Sequence, residues 1–210
     1  MPLSCRRTLG VLFVTVALGA GCAAYAAGNA DRGKELSYTC LGCHGIESYK
    51  NVYPTYSVPV LVGQHPAYLV AALKEYRSGD RSHATMHQQA ASLSDQDIED
   101  IAVYFAGPEL KPTTATVGTP PAKVAQLCVA CHGKDGVGVT GDYPTLAGQY
   151  ADYLARALEE YKKGDRKNSV MPGFMNDATD AEVQEIAKYY SRQTPALRTE
   201  PRRQTILSAQ

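Results

Sequence analysis

Two six-residue stretches carry the residue types that could do chemistry in this chain of 210 residues. Residues 40–45 read CLGCHG, and residues 128–133 read CVACHG. Each stretch places two thiols three positions apart and an imidazole directly after the second thiol. Such a set could form a disulfide, a redox-active dithiol, part of a zinc site or the covalent attachment point of a haem.

Three of these interpretations leave part of the motif without a role. A disulfide between cysteines three positions apart is geometrically awkward and ignores the histidine. A thioredoxin-like dithiol belongs in a strand–helix–strand context, and zinc needs a fourth ligand. Haem c uses the whole motif, because both thiols form thioethers with the vinyl groups and the histidine faces the iron. We therefore expect two covalently bound haem c groups, one on Cys40 and Cys43 and one on Cys128 and Cys131.

The first 27 residues have the organisation of a secretory signal peptide. A positively charged N-terminal region with two arginines precedes an apolar run that is too short to span a bilayer comfortably. The segment AYA at 24–26 is a small-x-small cleavage signal. A twin-arginine signal, or a lipoprotein anchored through Cys22, fits the pattern less well. We predict a periplasmic protein with cleavage near Ala26 or Ala27, and peripheral association with the membrane remains open.

Removal of the signal peptide changes the cysteine count and the charge. Cys5 and Cys22 leave, so every cysteine of the mature chain belongs to one of the two motifs. Two arginines and no acid leave with them, so 19 basic and 21 acidic residues remain. This balance argues against a nucleic-acid-binding protein. Tryptophan is absent and phenylalanine occurs three times, so a small domain needs another large apolar filler, which haem would provide.

The chain contains an internal duplication. The segment YLVAALKEYRSGDR at 68–81 matches YLARALEEYKKGDR at 153–166. Two copies indicate two domains, since a solenoid needs at least three repeats. We place the first domain at 28–107 and the second at 122–195. They are joined by a Pro/Thr-rich linker at 108–121 and followed by a C-terminal tail at 196–210, which we expect to be solvated.

The hydrophobic periodicity within each copy is helical. Apolar residues recur at three- and four-residue spacing along each matched segment and stop at Gly79 and at Gly164. The capping-box sequences SDQD at 94–97 and TDAE at 179–182 each precede a further amphipathic stripe. Strand-like alternation is essentially missing. The sequence therefore predicts an all-α fold of two tandem small helical domains, each wrapped around its haem.

A methionine is the expected sixth ligand of each iron. Met86 and Met171 occupy matching places in the two copies. Met175 competes in the second copy, but the first copy has no methionine at the matching position. A methionine sulfur favours ferrous iron and raises the reduction potential. We therefore predict Met86 and Met171 as ligands.

Three histidines of the first copy are rivals of Met86. The second copy has no counterpart of His65, His83 or His87, and we expect none of the three to bind iron. Of these, His87 is the one that we regard as the strongest alternative to Met86. With both axial positions filled by the protein, neither iron has an open site for oxygen or peroxide. This arrangement favours electron transfer over catalysis.

Together these motifs resemble those of the dihaem cytochrome c4 family. The resemblance rests on CLGCH, CVACH, two Pro-x-x-x-Gly-Gln segments, the paired methionines and SLSDQDIEDIAVYFAG, and it covers about residues 28–195. It implies two class I cytochrome c domains with neighbouring haems, which pass electrons toward terminal oxidases in bacterial respiratory chains. It implies the axial pairs His44 with Met86 and His132 with Met171, thioethers from all four motif cysteines, and carbonyls of Pro59 and Pro144 that accept the Nδ1 protons of the histidines.

One segment departs from the duplication. The first copy has SYKNVYPTYS at 48–57 where the second copy is rich in glycine. Tyrosine packs against a haem edge when it is buried and contacts a partner when it is exposed. We favour packing and keep partner docking as the alternative.

The predicted function is the transfer of single electrons between respiratory-chain proteins. The expected partners are an upstream electron donor and a terminal oxidase or its equivalent downstream, with no nucleic acid and no small-molecule substrate. The alternative is a dihaem enzyme of the peroxidase type, or a cytochrome subunit of a larger oxidoreductase complex. An enzyme would need one iron with an open or labile distal site and an acid or base above it.

Overall fold

A computed structural model describes residues 27–53 and 55–200 of the chain. The predicted signal peptide, apart from its last residue, and the last ten residues of the predicted tail lie outside these ranges. Within them the chain forms helices and three isolated β-bridges, and no strand is present among the described residues. The predicted all-α fold class is confirmed.

The first motif is positioned by the helices of the N-terminal half. They are α1 (Ala30–Leu36), α2 (Leu41–His44), α3 (Pro66–Ser78), α4 (Ala84–Ala91) and α5 (Asp95–Ala106). Helix α3 packs against α4 and α5, and α1 packs against α5. Gly33 allows the α1–α5 approach, because a Cβ at this position would lie 2.0 Å from the backbone oxygen of Asp100. The first motif therefore begins four residues after the end of a helix that is fixed to the C-terminal helix of its domain.

The second half repeats this arrangement with a changed start. A π-helical turn (Val124–Cys128) leads into α6 (Val129–His132), followed by α7 (Ala151–Lys163), α8 (Met171–Met175) and α9 (Asp180–Ser191). Helix α7 packs against both α8 and α9. The second motif spans the last residue of the π-helical turn and the whole of α6, whereas Cys40 of the first motif lies in the turn before α2.

The ends of the long helices follow the local signals in the sequence. Ser94 and Thr179 each form a complete capping box with the acidic residue three positions later. Gly79 and Gly164 end α3 and α7 in the left-handed conformation, with φ of 86° and 80°. These four boundaries lie where the sequence predicts them.

Each domain has a small apolar core of its own. In the first domain the core includes Leu69, Ile101 and Phe105, and in the second it includes Val124 and Tyr190. Both cores lie beside the motif cysteines, since Cys40 packs against the first and Cys128 against the second. Removing this apolar surface from water stabilises the fold around each motif.

The segment after the second domain does not follow the prediction. A solvated tail from residue 196 was expected, yet the side chain of Leu197 is only 5% exposed. Its backbone N–H donates to the Ala147 carbonyl at 2.8 Å, and Val62 and Arg198 exchange backbone hydrogen bonds. The described start of the tail is therefore held by both domains, because it buries an apolar side chain and pairs its backbone on each side.

The predicted linker also contacts both domains. Leu110 lies against Gly63, and the Thr113 N–H donates to the carboxylate of Asp135. The backbone of Val117 pairs in both directions with the side-chain amide of Gln193, at 2.9 and 3.0 Å. No helix within the described residues is long and apolar enough to cross a membrane.

Candidate haem sites

The first motif opens onto an apolar cavity of the first domain. The cavity has a volume of about 1130 Å³, counting the solvent space at its mouth. Cys40, Cys43 and His44 line it, and Met86 lines it as well. The structure therefore brings the predicted thioether cysteines and both predicted axial ligands of this domain to one cavity.

The second motif opens onto a matching cavity of about 1310 Å³. Cys128, Cys131 and His132 line it, together with both Met171 and Met175. The two methionines differ in burial. Met175 is 2% exposed within the apolar core, whereas Met171 is partly buried at the edge of that core.

Each motif histidine is held through one ring nitrogen by a backbone carbonyl. His44 Nδ1 lies 2.8 Å from the Pro59 oxygen, and His132 Nδ1 lies 2.9 Å from the Pro144 oxygen. A carbonyl can only accept, so Nδ1 must carry the proton, and Nε2 keeps its lone pair for a metal. Burial lowers the pKa of both imidazoles, against the opposing effect of the carbonyl. Both features favour a neutral imidazole with Nε2 available for binding.

The four motif cysteines are free thiols in the structure. Burial raises the pKa of Cys40, and it raises the pKa of Cys128 to about 11. Within the described part of the chain, no group of three or more His, Cys, Asp or Glu side chains is arranged to hold a metal ion. The zinc interpretation therefore lacks a ligand set there, and a disulfide is not formed.

The rival histidines of the first domain have other contacts. His87 Nδ1 lies 2.8 Å from the Tyr76 carbonyl oxygen, and His65 Nε2 lies 3.1 Å from the Gly138 carbonyl oxygen. His83 does line the cavity, and its Nδ1 accepts the backbone N–H of Met86 at 3.2 Å. His83 is therefore the one of these three that lines a cavity, but with its Nδ1 lone pair in use the neutral ring carries its proton on Nε2 and offers no free nitrogen to iron.

The tyrosine-rich segment 48–57 divides into a buried and an exposed part. Tyr56 is 8% exposed, lines the first cavity and lies 6.5 Å from the ring of Tyr153 in the second domain. Tyr53 and Val52 are 94% and 90% exposed. Packing at the cavity accounts for Tyr56, whereas partner docking stays a prediction for the exposed pair.

Two glutamines at the domain boundary have roles that sequence reasoning missed. The side chain of Gln64 binds the backbone of Thr145, and the side chain of Gln149 binds the backbone of Val60. Thr145 and Val60 directly follow the prolines whose carbonyls hold the motif histidines. The repeated Gly-Gln pair was the available signal, but a repeat does not indicate which residue its side chain contacts.

Two arginines at the same boundary were also missed. Arg81 and Arg166 end the duplicated segments, are 5% and 3% exposed, and form an isolated antiparallel bridge through their backbones. Arg81 donates to the hydroxyl of Tyr153, and Arg166 donates to that of Tyr68 at 2.8 Å, so each reaches into the other domain. Their repetition at the end of GDR was the signal.

The residues around the two cavities fit haem c. Each cavity offers two free thiols at the spacing of the vinyl attachment, an imidazole with Nε2 available, and an apolar lining. Haem c supplies an iron that changes between the ferric and ferrous states by one electron. Fold and sites together define a c-type cytochrome with two haem domains.

Comparison with known proteins agrees with this class. Residues 30–107 match the family model of cytochrome c, and residues 115–189 match that of cytochrome c oxidase, cbb3-type, subunit III. Cytochrome c4 of Pseudomonas aeruginosa is 31% identical over 182 residues, which is 79% of this chain and 89% of that protein. The chain belongs to the cytochrome c4 family, and it carries two covalent haem c groups.

Two further similarities matter for function. The crystal structure of reduced recombinant cytochrome c4 from Pseudomonas stutzeri has a TM-score of 0.63 at 27% identity, covering 80% of this chain and 100% of that one. A protein named thiosulfate dehydrogenase electron acceptor, from Stutzerimonas stutzeri, is 33% identical over 170 residues, which is 72% of this chain and 77% of that protein. Both are consistent with a protein that exchanges electrons with other redox proteins.

Proposed function

We propose that this chain is a periplasmic carrier that passes single electrons from an upstream donor toward a terminal oxidase. The observation that carries the proposal is that each cavity is lined by one motif histidine and by a methionine from the matching place of the duplication. Protein ligands on both faces of an iron leave no coordination position for a substrate. A site of this kind suits electron exchange through a haem edge.

The proposal gives each site residue a role. Cys40 and Cys43 carry one haem, and His44 with Met86 fills the axial positions of its iron. The corresponding residues of the second domain are Cys128 and Cys131 for attachment and His132 with Met171 for the axial positions. The carbonyls of Pro59 and Pro144 orient the two histidines, supported by the Nδ1 contacts of 2.8 and 2.9 Å.

Carbon monoxide tests this proposal against the dihaem enzyme. The purified, dithionite-reduced protein is mixed with carbon monoxide, and its visible spectrum is compared before and after. We expect no change, because both irons are fully coordinated. A Met171→Ala variant serves as the positive control, since removal of the sulfur opens one iron. Rapid carbon monoxide binding by the parent protein would overturn the assignment as a carrier and favour a catalytic haem.

The location of the protein is tested by fractionation. Native protein is isolated from a periplasmic extract, and its N-terminus is sequenced. We expect a start at Ala27 or Gly28 and haem in the soluble fraction. Haem that stays with washed membranes, on a chain that starts at Met1, would contradict a cleaved periplasmic protein.

A second candidate function follows from the relative that is named as an electron acceptor of thiosulfate dehydrogenase. In this case the donor would be thiosulfate dehydrogenase, and the direction of transfer out of the chain would stay open. The test mixes the oxidised protein with that enzyme and thiosulfate and follows haem reduction by absorbance. Saturable, thiosulfate-dependent reduction supports this donor, and reduction no faster than without enzyme excludes it.

A further inference from the structure

Two buried guanidinium groups at the domain boundary have no carboxylate partner. Arg81 and Arg166 are 5% and 3% exposed, and among the described residues no acidic side chain lies within ion-pair distance of either. Their side chains instead donate to tyrosine hydroxyls and lie over the rings of Tyr76 and Tyr161, at 4.4 and 4.5 Å. Buried charges in proteins are normally paired, because leaving water without a counter-ion is costly.

The two arginines also repel one another electrostatically. Their backbones form a bridge, which brings two buried positive charges into the same region. In addition, Arg166 Nε is buried and has no hydrogen-bond partner. A buried donor without a partner is rare in native proteins, so each such group needs an explanation. An anion that binds between or beside the arginines would relieve the repulsion and satisfy the free donor.

The arginines lie where the haem groups bind. Arg81 lines the first cavity, and Arg166 lines the second. Haem c has two acidic groups, its propionates, and guanidinium binds carboxylates through paired N–H donors. We propose that Arg81 and Arg166 form a carboxylate-binding pair at the domain boundary, and that each binds a propionate of the haem in its own cavity.

The pair also connects the two haems. Tyr153 of the second domain holds the guanidinium of Arg81, and Tyr68 of the first domain holds that of Arg166. The charge near each haem is therefore positioned by a side chain of the other domain. Because the Coulomb energy falls only with the inverse of distance in a poorly screened interior, each arginine affects both irons, and its own more strongly.

The test is a spectroelectrochemical redox titration of the haem-loaded protein and four variants. Arg81→Gln and Arg166→Gln remove a charge, and Arg81→Lys keeps it. The matched control is Arg156→Gln, because Arg156 is a partly exposed arginine of the second domain that is already paired with Glu160 at 2.7 Å. The visible spectrum of each variant reports haem loading independently.

Loss of a positive charge favours the oxidised iron, so both glutamine variants should have lower potentials. We expect the nearer haem of each to become about tenfold harder to reduce, which is about 59 mV for a one-electron couple. The other haem should shift in the same direction by less. Arg81→Lys should keep most of the parent potential, and Arg156→Gln should match the parent.

Two results of the redox titration would overturn the inference. One is that both glutamine variants load haem and titrate like the parent. The other is that Arg81→Lys shifts the potential as far as Arg81→Gln, which would indicate a packing role. If a glutamine variant fails to load haem, the Tyr153→Phe variant is used instead. Its propionate-bending modes are measured by resonance Raman spectroscopy and compared with those of the parent. We expect those modes to shift when the hydrogen bond that positions Arg81 is lost, and unchanged modes would reject the site.

This inference depends on the two haem sites that underlie the proposed carrier. The outcomes can be told apart. Failure of the carrier proposal appears as carbon monoxide binding by the parent protein, whereas failure of the arginine inference appears as unchanged potentials or modes in variants that remain closed to carbon monoxide.

Discussion

Gln64 in the first domain binds both backbone groups of Thr145 in the second. Its Nε2 donates to the Thr145 carbonyl at 2.9 Å, and its Oε1 accepts the Thr145 N–H at 2.8 Å. Gln149 makes the same pair of contacts to Val60, at 2.9 and 3.1 Å. Each glutamine therefore fixes the residue that follows a histidine-binding proline of the opposite domain. The domain boundary and the two histidine sites are parts of one hydrogen-bonded structure.

Replacing Gln149 by leucine should weaken the protein through this boundary. The change removes two buried hydrogen bonds and leaves both backbone groups of Val60 without partners, so the free energy of unfolding should fall by about 2 kcal/mol. Denaturant unfolding of the haem-loaded protein measures this. Gln184→Leu is the control, because Gln184 is exposed on α9 and should change stability by less than about 0.5 kcal/mol. Equal midpoints for the two variants would contradict a structural role for Gln149.

The sequence predicts the helices and the composition of each cavity better than the boundary between them. Capping boxes at Ser94 and Thr179 and the glycine caps act over a few residues, so their patterns are visible in the sequence. The partners of Gln64 and of Leu197 lie in distant parts of the chain, and only the packing of the two domains brings them together. For the same reason the duplication identified Arg81 and Arg166 as repeated residues without indicating their contacts.

The two methionines of the second cavity should respond differently to substitution. Met171→Ala should abolish one sulfur-to-iron charge-transfer band and allow one iron to bind carbon monoxide. Met175→Ala should keep the band, because Met175 belongs to the core. Met175→Ala should instead lower the free energy of unfolding by about 2–5 kcal/mol, as is found when other buried methionines are replaced by alanine. Absorbance spectra and thermal unfolding of both variants measure the two effects, and loss of the band in Met175→Ala alone would reverse the ligand assignment.

Gly148 should tolerate a side chain less well than Gly164. Both have positive φ, 71° and 80°, so alanine costs about 1–2 kcal/mol at either position. A Cβ on Gly148 would also lie 2.4 Å from the Cβ of Ala196, whereas nothing lies within 4 Å of one on Gly164. Relief of that clash adds about 1–3 kcal/mol to the cost of Gly148→Ala. Matched denaturant curves should show the difference, and equal destabilisation would mean that the segment at Ala196 does not pack there.

The contact between α1 and α5 should weaken in acid because of Asp100. Its carboxylate, 1% exposed, accepts the Asn29 N–H at 2.7 Å and then the Arg32 guanidinium, and these bonds lower its pKa against the opposing effect of burial. The stabilisation is therefore fully present above the ordinary pKa of about 3.9 and is lost as the pH falls through the lower pKa of the folded state. Asp100→Asn should cost about 2 kcal/mol near neutral pH.

The pH dependence distinguishes this role of Asp100 from simple packing. Unfolding of the parent and of Asp100→Asn is followed by far-UV circular dichroism between pH 7 and pH 3. These two limits lie on opposite sides of the ordinary carboxyl pKa of about 3.9. The stability difference should stay constant down to about pH 5 and shrink below about pH 4, because the parent then loses the ionised carboxylate that the variant already lacks. Glu185→Gln, at an exposed position of α9, should follow the parent throughout. A difference that persists unchanged at the acid end would show that shape, and not charge, determines the contribution of Asp100.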